Sequence, residues 1–123
     1  MMAKKRSSTS PTKRTLDKVR KHGWDVQVVE RYCQFSKRRI DLFGVVDLVA
    51  MDGNSIIGIQ STSGSNFANR ITKILAEPRA KRWIESGARL FVHGWVQRAS
   101  KRWDCREEEI TVDMFERAES CEC

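Results

Sequence analysis

Residues 38–63 read RRIDLFGVVDLVAMDGNSIIGIQSTS, and this stretch decides the fold class. Residues 44–50 (GVVDLVA) form an apolar run broken only by Asp47, which reads as a strand. Asp52-Gly53 supplies a hairpin signal, and residues 55–62 (SIIGIQST) return as a second strand. Alternation puts Val45, Asp47 and Val49 on one face of the first strand, and Gly58, Gln60 and Thr62 on one face of the second. A two-residue loop at 52–53 sets Asp47 opposite Gly58, with Gln60 diagonal to it. A four-residue loop over 52–55 sets Asp47 directly opposite Gln60. In both registers Asp47, Gln60 and Thr62 emerge within reach of one small ion or water. A carboxylate among aliphatic neighbours is costly unless it is paired, protonated or bound to a cation. Asp47 is therefore either a ligand or a structural acid paired with Arg38, Arg39 or Arg70.

Upstream, Ser10-Pro11 starts a helix that carries Leu16 and Val19 inward and ends at Gly23. Residues 24–32 (WDVQVVERY) alternate as a strand, and residues 33–43 read as a loop with a basic knot at Lys37, Arg38 and Arg39. Downstream, Ser65 or Asn66 is the expected N-cap of an amphipathic helix over 67–76, with Phe67, Ile71, Ile74 and Leu75 inward. Pro78 opens a second helical segment through Trp83 and Ile84, closed by Gly87. Residues 89–96 and 109–115 read as further strands. The order helix, three strands, helix, strand, strand predicts an α/β fold, a mixed central sheet flanked by helices.

The chain has 123 residues and a formal net charge of +7, which suits one domain with a real core. Residues 1–23 hold eight Lys or Arg against Asp17 alone, so they carry the whole excess (8 − 1 = +7). Residues 107–123 are acidic, with seven Asp or Glu against one Arg. We expect a disordered basic arm over 1–10, one domain over 11–117 and an acidic tail over 118–123. The arm (Lys4, Lys5, Arg6), with Lys13 and Arg14 beyond it, suits a phosphate backbone, and also suits a solubilising tail. The Lys37–Arg39 knot reads equally as a solvated loop or a phosphate contact. No apolar run approaches the roughly 20 residues of a spanning helix, and the basic start has no apolar segment behind it, so neither membrane nor secretion is expected. Cys33, Cys105, Cys121 and Cys123 form no CxxC pair, which suits reduced thiols in the cytoplasm. A zinc site from Cys121, Cys123, His22 or His93 lacks a supporting ligand spacing. His93 reads as a satisfied strand histidine, or else a general base.

The stretch 38–63 resembles the core of the PD-(D/E)XK nuclease superfamily, which includes archaeal-type Holliday junction resolvases, VRR-NUC domains and Mrr-type restriction enzymes. The resemblance spans roughly residues 12–97 and looks closest to small phage or bacterial resolvase-like proteins. It implies a restriction-endonuclease-like αβββαβ core. Asp47 takes the place of the motif's metal-binding Asp, with Gly44 three residues before it. Gln60 falls where the family has Glu or, in Mrr-like members, Gln. Thr62 falls where the family has its Lys, and a hydroxyl cannot supply that positive charge. Asp41 is a second carboxylate if its loop folds back, and Arg70 or Lys73 could return the missing cation. The family geometry adds the Ser61 carbonyl to a Mg²⁺ or Mn²⁺ site of Asp47, Gln60 and Asp41, weakly bound because Gln60 brings no charge.

Three functions of different classes follow. The first is a metal-dependent endodeoxyribonuclease, with branched DNA among its substrates and a homodimer as its implied state. The second is a nuclease-fold DNA-binding protein without catalysis, which the departures at Gln60 and Thr62 favour. The third is a phage-type protein-interaction module, paired through the oppositely charged ends.

Overall fold

The computed structural model describes residues 9–120. Lys4, Lys5 and Arg6 of the expected arm, with Cys121 and Cys123, lie outside the described residues. Helix α1 spans Pro11–Lys21. Its start follows from Ser10, whose Oγ accepts the Lys13 N–H at 3.1 Å, and from Pro11 in the first turn. Gly23, at φ +86°, takes the left-handed turn just past its end. Strands β1 (Asp25–Val28), β2 (Arg31–Cys33), β3 (Arg38–Ile40), β4 (Leu48–Met51) and β5 (Ile56–Ser63) follow. Helices α2 (Phe67–Leu75) and α3 (Pro78–Glu85), strands β6 (Arg89–Gln97) and β7 (Trp103–Ile110), and helix α4 (Val112–Ser120) complete the order.

The main sheet has the order β1-β4-β5-β6-β7. β5 and β6 are parallel and the other neighbours antiparallel, so the protein is α/β with a mixed five-stranded sheet. The parallel pair needs a crossover, which α2 and α3 provide. On one face α1 packs against the sheet through Val19, over Leu48, Ala50, Ile57 and Ile59. The other face buries Val46, Leu90 and Val92 under Phe67, Ile74, Ala80 and Phe115 of α2, α3 and α4. No helix among the described residues is long and apolar enough to cross a membrane.

Five local expectations are corrected. The strand expected over 24–32 divides into β1 and β2, which belong to different sheets. The break lies where the N–H groups of Val29 and Glu30 both donate to the Asp47 carbonyl, at 2.8 and 3.2 Å, and so leave the ladder. The loop expected over 33–43 contains the β2–β3 hairpin instead. The run 44–50 is not one strand: Phe43 and Gly44 turn through φ +56° and +74°, and β4 begins only at Leu48. Val45 and Val46 are consequently both buried in the same core, against alternation. Residues 109–115 are the end of β7 and the start of α4. β7 is an edge strand whose Glu107, Glu108 and Glu109 mask its periodicity. The expected cap at Ser65 or Asn66 is also not made: Asn66 is the cap residue without a side-chain bond, and Ser65 Oγ meets Ser63 Oγ at 3.2 Å.

Candidate functional site

The β4–β5 turn has the four-residue register, with Met51 opposite Ile56 and Leu48 opposite Ile59. Just before β4, Asp47 leaves that register and donates its N–H to the Ile59 carbonyl at 2.9 Å. Asp47 and Leu48 thus share Ile59 as their partner, a bulge at the head of β4. Its buried carboxylate is held from two sides. Oδ2 accepts the Ser61 N–H at 3.0 Å and the Ser61 hydroxyl at 3.5 Å. Oδ1 accepts from Gln60 Nε2 at 3.4 Å, and the same nitrogen donates to Asp41 Oδ2 at 2.9 Å.

Asp41 reaches this point because the chain folds back through 42–46, where Leu42 and Val46 form an isolated bridge. Glu30 arrives from the end of β1. One oxygen from each of Glu30, Asp41 and Asp47 lies within 4.8 Å of the others. Arg39 Nη1 donates to Glu30 Oε2 at 2.7 Å. A cavity of about 350 Å³ opens over the cluster, walled by Ser10, Pro11 and Thr12 of α1's start and by Arg70 of α2.

Burial is the main force on Asp47, pushing its carboxyl up from 3.8 to about 8; neighbouring Asp41 and the charge of Glu30 add to it, and the Ser61 N–H opposes it. Near neutral pH the group therefore keeps its proton unless a cation takes the proton's place. Three carboxylates with one guanidinium bonded among them make a donor set for a hard cation. Gln60 joins that set only if its amide turns over. As placed, its nitrogen faces two carboxylates, and a cation there would favour the oxygen. Within an extended strand the N–H and C=O of one residue point the same way, so the Ser61 carbonyl is directed to the edge where its N–H meets Asp47.

The structure thus brings Asp47, Gln60, Ser61, Asp41 and Arg70 to one cavity. It does not bring Thr62 there. That residue is buried opposite Gly94, further along β5, and is absent from the cavity wall. Lys73 is exposed on α2 and is likewise outside the wall. Of the basic knot only Arg39 enters; Lys37 and Arg38 are exposed. Lys13 pairs with Asp17 at 2.9 Å, and Arg14 stacks on Trp103 with its guanidinium carbon 3.7 Å from the ring centroid. Sequence reasoning missed Glu30, an acid hidden inside the strand expected over 24–32. Its position directly after the alternating VQVV was the available signal.

His93 lies elsewhere, on the α1 side of β6. Thr15 Oγ1 accepts from Trp95 Nε1 at 2.9 Å and shares a hydrogen bond with His93 Nδ1 at 3.2 Å. The other ring nitrogen, Nε2, lies 3.6 Å from Glu107 Oε2. Burial holds the ring neutral, its pKa lowered to about 4 against the pull of Glu107. Among the described residues no cluster of His and Cys gathers for zinc.

Fold and cluster together define the class: an α/β protein with a carboxylate centre at the ends of its central strands. No protein-family model matches the chain, and comparisons with curated proteins and with solved structures give no significant match.

Proposed function

We propose that this is a metal-dependent nuclease-like protein that acts on DNA by phosphodiester hydrolysis, branched or recombination intermediates being its candidate substrates. One observation carries the reading: Glu30, Asp41 and Asp47 converge to within 4.8 Å beneath an open cavity with an arginine in its wall. The resemblance of residues 38–63 to the PD-(D/E)XK core supports it, as does the α/β order around that stretch.

Asp47, Asp41 and Glu30 would hold Mg²⁺ or Mn²⁺ weakly, with the Gln60 oxygen and the Ser61 carbonyl beside them. Such an ion, when bound, offsets charge building on a phosphate and makes a water acidic enough to attack. The chain's own residues do the rest. Arg70 orients a phosphate from the cavity wall. Lys4, Lys5, Arg6, Lys13, Arg14, Lys37 and Arg38 attract the backbone. The reading includes a homodimer in the cytoplasm, and the free thiols of Cys33 and Cys105 suit that reducing setting.

A specific observation favours a second reading, a DNA-binding protein without catalysis. Gln60 Nε2 already bridges Asp41 and Asp47 as a cation would, and Thr62 brings no charge to the cavity. One assay separates the two. Linear, flapped and four-way DNA are incubated with Mg²⁺ or Mn²⁺ and either wild type or Asp47→Ala. Cleavage by wild type that falls at least about a hundredfold in the variant supports the nuclease. Equal cleavage by both removes the site. Salt-dependent binding without cleavage establishes the second reading.

A further inference from the structure

The β2–β3 hairpin lies outside both cores, and its composition is unusual. Residues 31–40 (RYCQFSKRRI) hold Arg31, Lys37, Arg38 and Arg39 and no acid. Arg39 is committed to Glu30, whereas Arg31, Lys37 and Arg38 make no ion pair among the described residues. At the turn, Phe35 is 95% exposed, and Tyr32 on the stem is 55% exposed. Scattered apolar residues on a surface need no explanation. A phenylalanine exposed almost completely, at the end of a two-stranded ribbon and among unpaired cations, does.

The placement of the ribbon is the second observation. Glu30 immediately precedes β2 and Asp41 immediately follows β3, so the two feet of the hairpin are two of the three clustered carboxylates. Lys37, at φ +57°, closes the turn beside Phe35. At about 3.3 Å per residue, the tip stands roughly 15 Å from the cluster.

We propose that this hairpin is a strand-separating probe, in which Phe35 stacks on an unpaired base while Arg31, Lys37 and Arg38 hold the flanking phosphates. This rests on the reading of the protein as DNA-directed and gives it a substrate class: DNA with unpaired or easily unstacked bases rather than a continuous duplex. The charge selects a polyanion, and the exposed ring selects a partner that offers flat π-faces. The reach of the ribbon sets the distance between the stacked base and the carboxylate centre at about four base-pair steps.

The test measures binding by the full chain, in EDTA and low salt, so that cleavage plays no part. Fluorescence anisotropy compares a forked duplex with a fully paired duplex of the same sequence. A 2-aminopurine at the fork reports stacking. Wild type should prefer the fork about tenfold and quench the 2-aminopurine. Phe35→Ala should lower fork affinity about tenfold, to the level of the paired duplex, and Phe35→Trp should retain the preference. Because the ring is exposed, both variants should melt with wild type. Equal binding of fork and duplex by wild type overturns the proposal, as does a preference that survives Phe35→Ala. A dimer in sedimentation that dissociates in Phe35→Ala, with fork affinity unchanged, overturns it in favour of a protein contact. Cleavage by the same chain with Mg²⁺ is scored separately: cleavage without fork preference removes the probe alone, and fork preference without cleavage removes the nuclease alone.

Discussion

The substitution Asp47→Asn should make the metal-free protein more stable near neutral pH, and the gain should depend on pH in a defined way. In the folded chain burial, helped by Asp41 and Glu30, raises the Asp47 carboxyl from 3.8 to about 8. Between those values the folded state keeps a proton that the unfolded chain has released. Stability from this group is complete below about pH 4 and is lost as pH rises toward 8, at up to about 1.4 kcal/mol per pH unit. From pH 5 to pH 7 the cumulative loss is about 3 kcal/mol at most. The introduced amide has no titrating proton to lose, and its oxygen still accepts the Ser61 N–H. Urea unfolding followed by tryptophan fluorescence in EDTA, at pH 5, 6 and 7, should therefore show the variant pulling ahead of wild type by about 1–3 kcal/mol across the range. His93 titrates in part of this window, but equally in both proteins, so it cancels from the difference. Added Mg²⁺ should narrow the variant's lead at pH 7, because the ion binds the ionised carboxylate. At ten times its dissociation constant it adds about 1.4 kcal/mol to wild type, and less to the variant. Parallel curves for the two proteins from pH 5 to 7 would refute the account of a buried, proton-holding carboxyl.

Gln60→Glu should return the missing charge to the centre: calorimetry should find Mg²⁺ bound about tenfold more tightly, while the metal-free variant unfolds at lower urea at pH 7; unchanged affinity would remove Gln60 from the ligand set. Gly58→Ala should cost about 1–3 kcal/mol, since a Cβ there would lie 2.8 Å from Trp83 Cζ2 and 2.9 Å from Val46 Cγ2; an unaltered melting temperature would mean that this packing yields freely. His93 has the opposite sign to Asp47. Burial, with Lys18 and His22, lowers its pKa from 6.5 to about 4 against the pull of Glu107, so its stability contribution is full above 6.5 and is lost on acidification toward 4. His93→Gln should therefore lose less stability than wild type between pH 6.5 and 5, by about 2 kcal/mol at most; identical acid profiles would contradict a buried neutral ring.

The parts of the fold legible in the chain are those that rest on local periodicity and on capping chemistry. Ser10-Pro11 and Gly23 bracket α1, and Gly87 closes α3, because each satisfies a requirement of the helix end itself. β5 and β6 are legible because both strands are central and covered on both faces, so their apolar residues cluster in short runs rather than alternate. The edge strand β7 was not legible, since one solvent-facing side lets Glu107–Glu109 break the pattern. The start of β4 was not legible either: a turn at Phe43-Gly44 inside an apolar run leaves no mark in hydrophobicity.

The amino-acid order alone determined that Asp47 had to be accounted for, because one acid in GVVDLVA must find a partner, a proton or a cation wherever that run is buried. It also determined that Gln60 lay on a strand returning towards it. Only the tertiary structure decided the company Asp47 keeps. Glu30 and Asp41 lie 17 and 6 residues before it in the chain, and neither spacing belongs to a helix or strand repeat that would bring them together. They meet because Val29 and Glu30 bond to the Asp47 carbonyl, the chain leaves the sheet as a hairpin, and the turn through 42–46 carries Asp41 back. The bonds to the Asp47 carbonyl are non-local and the 42–46 turn is a backbone bridge, and no pattern of side chains along the sequence encodes either.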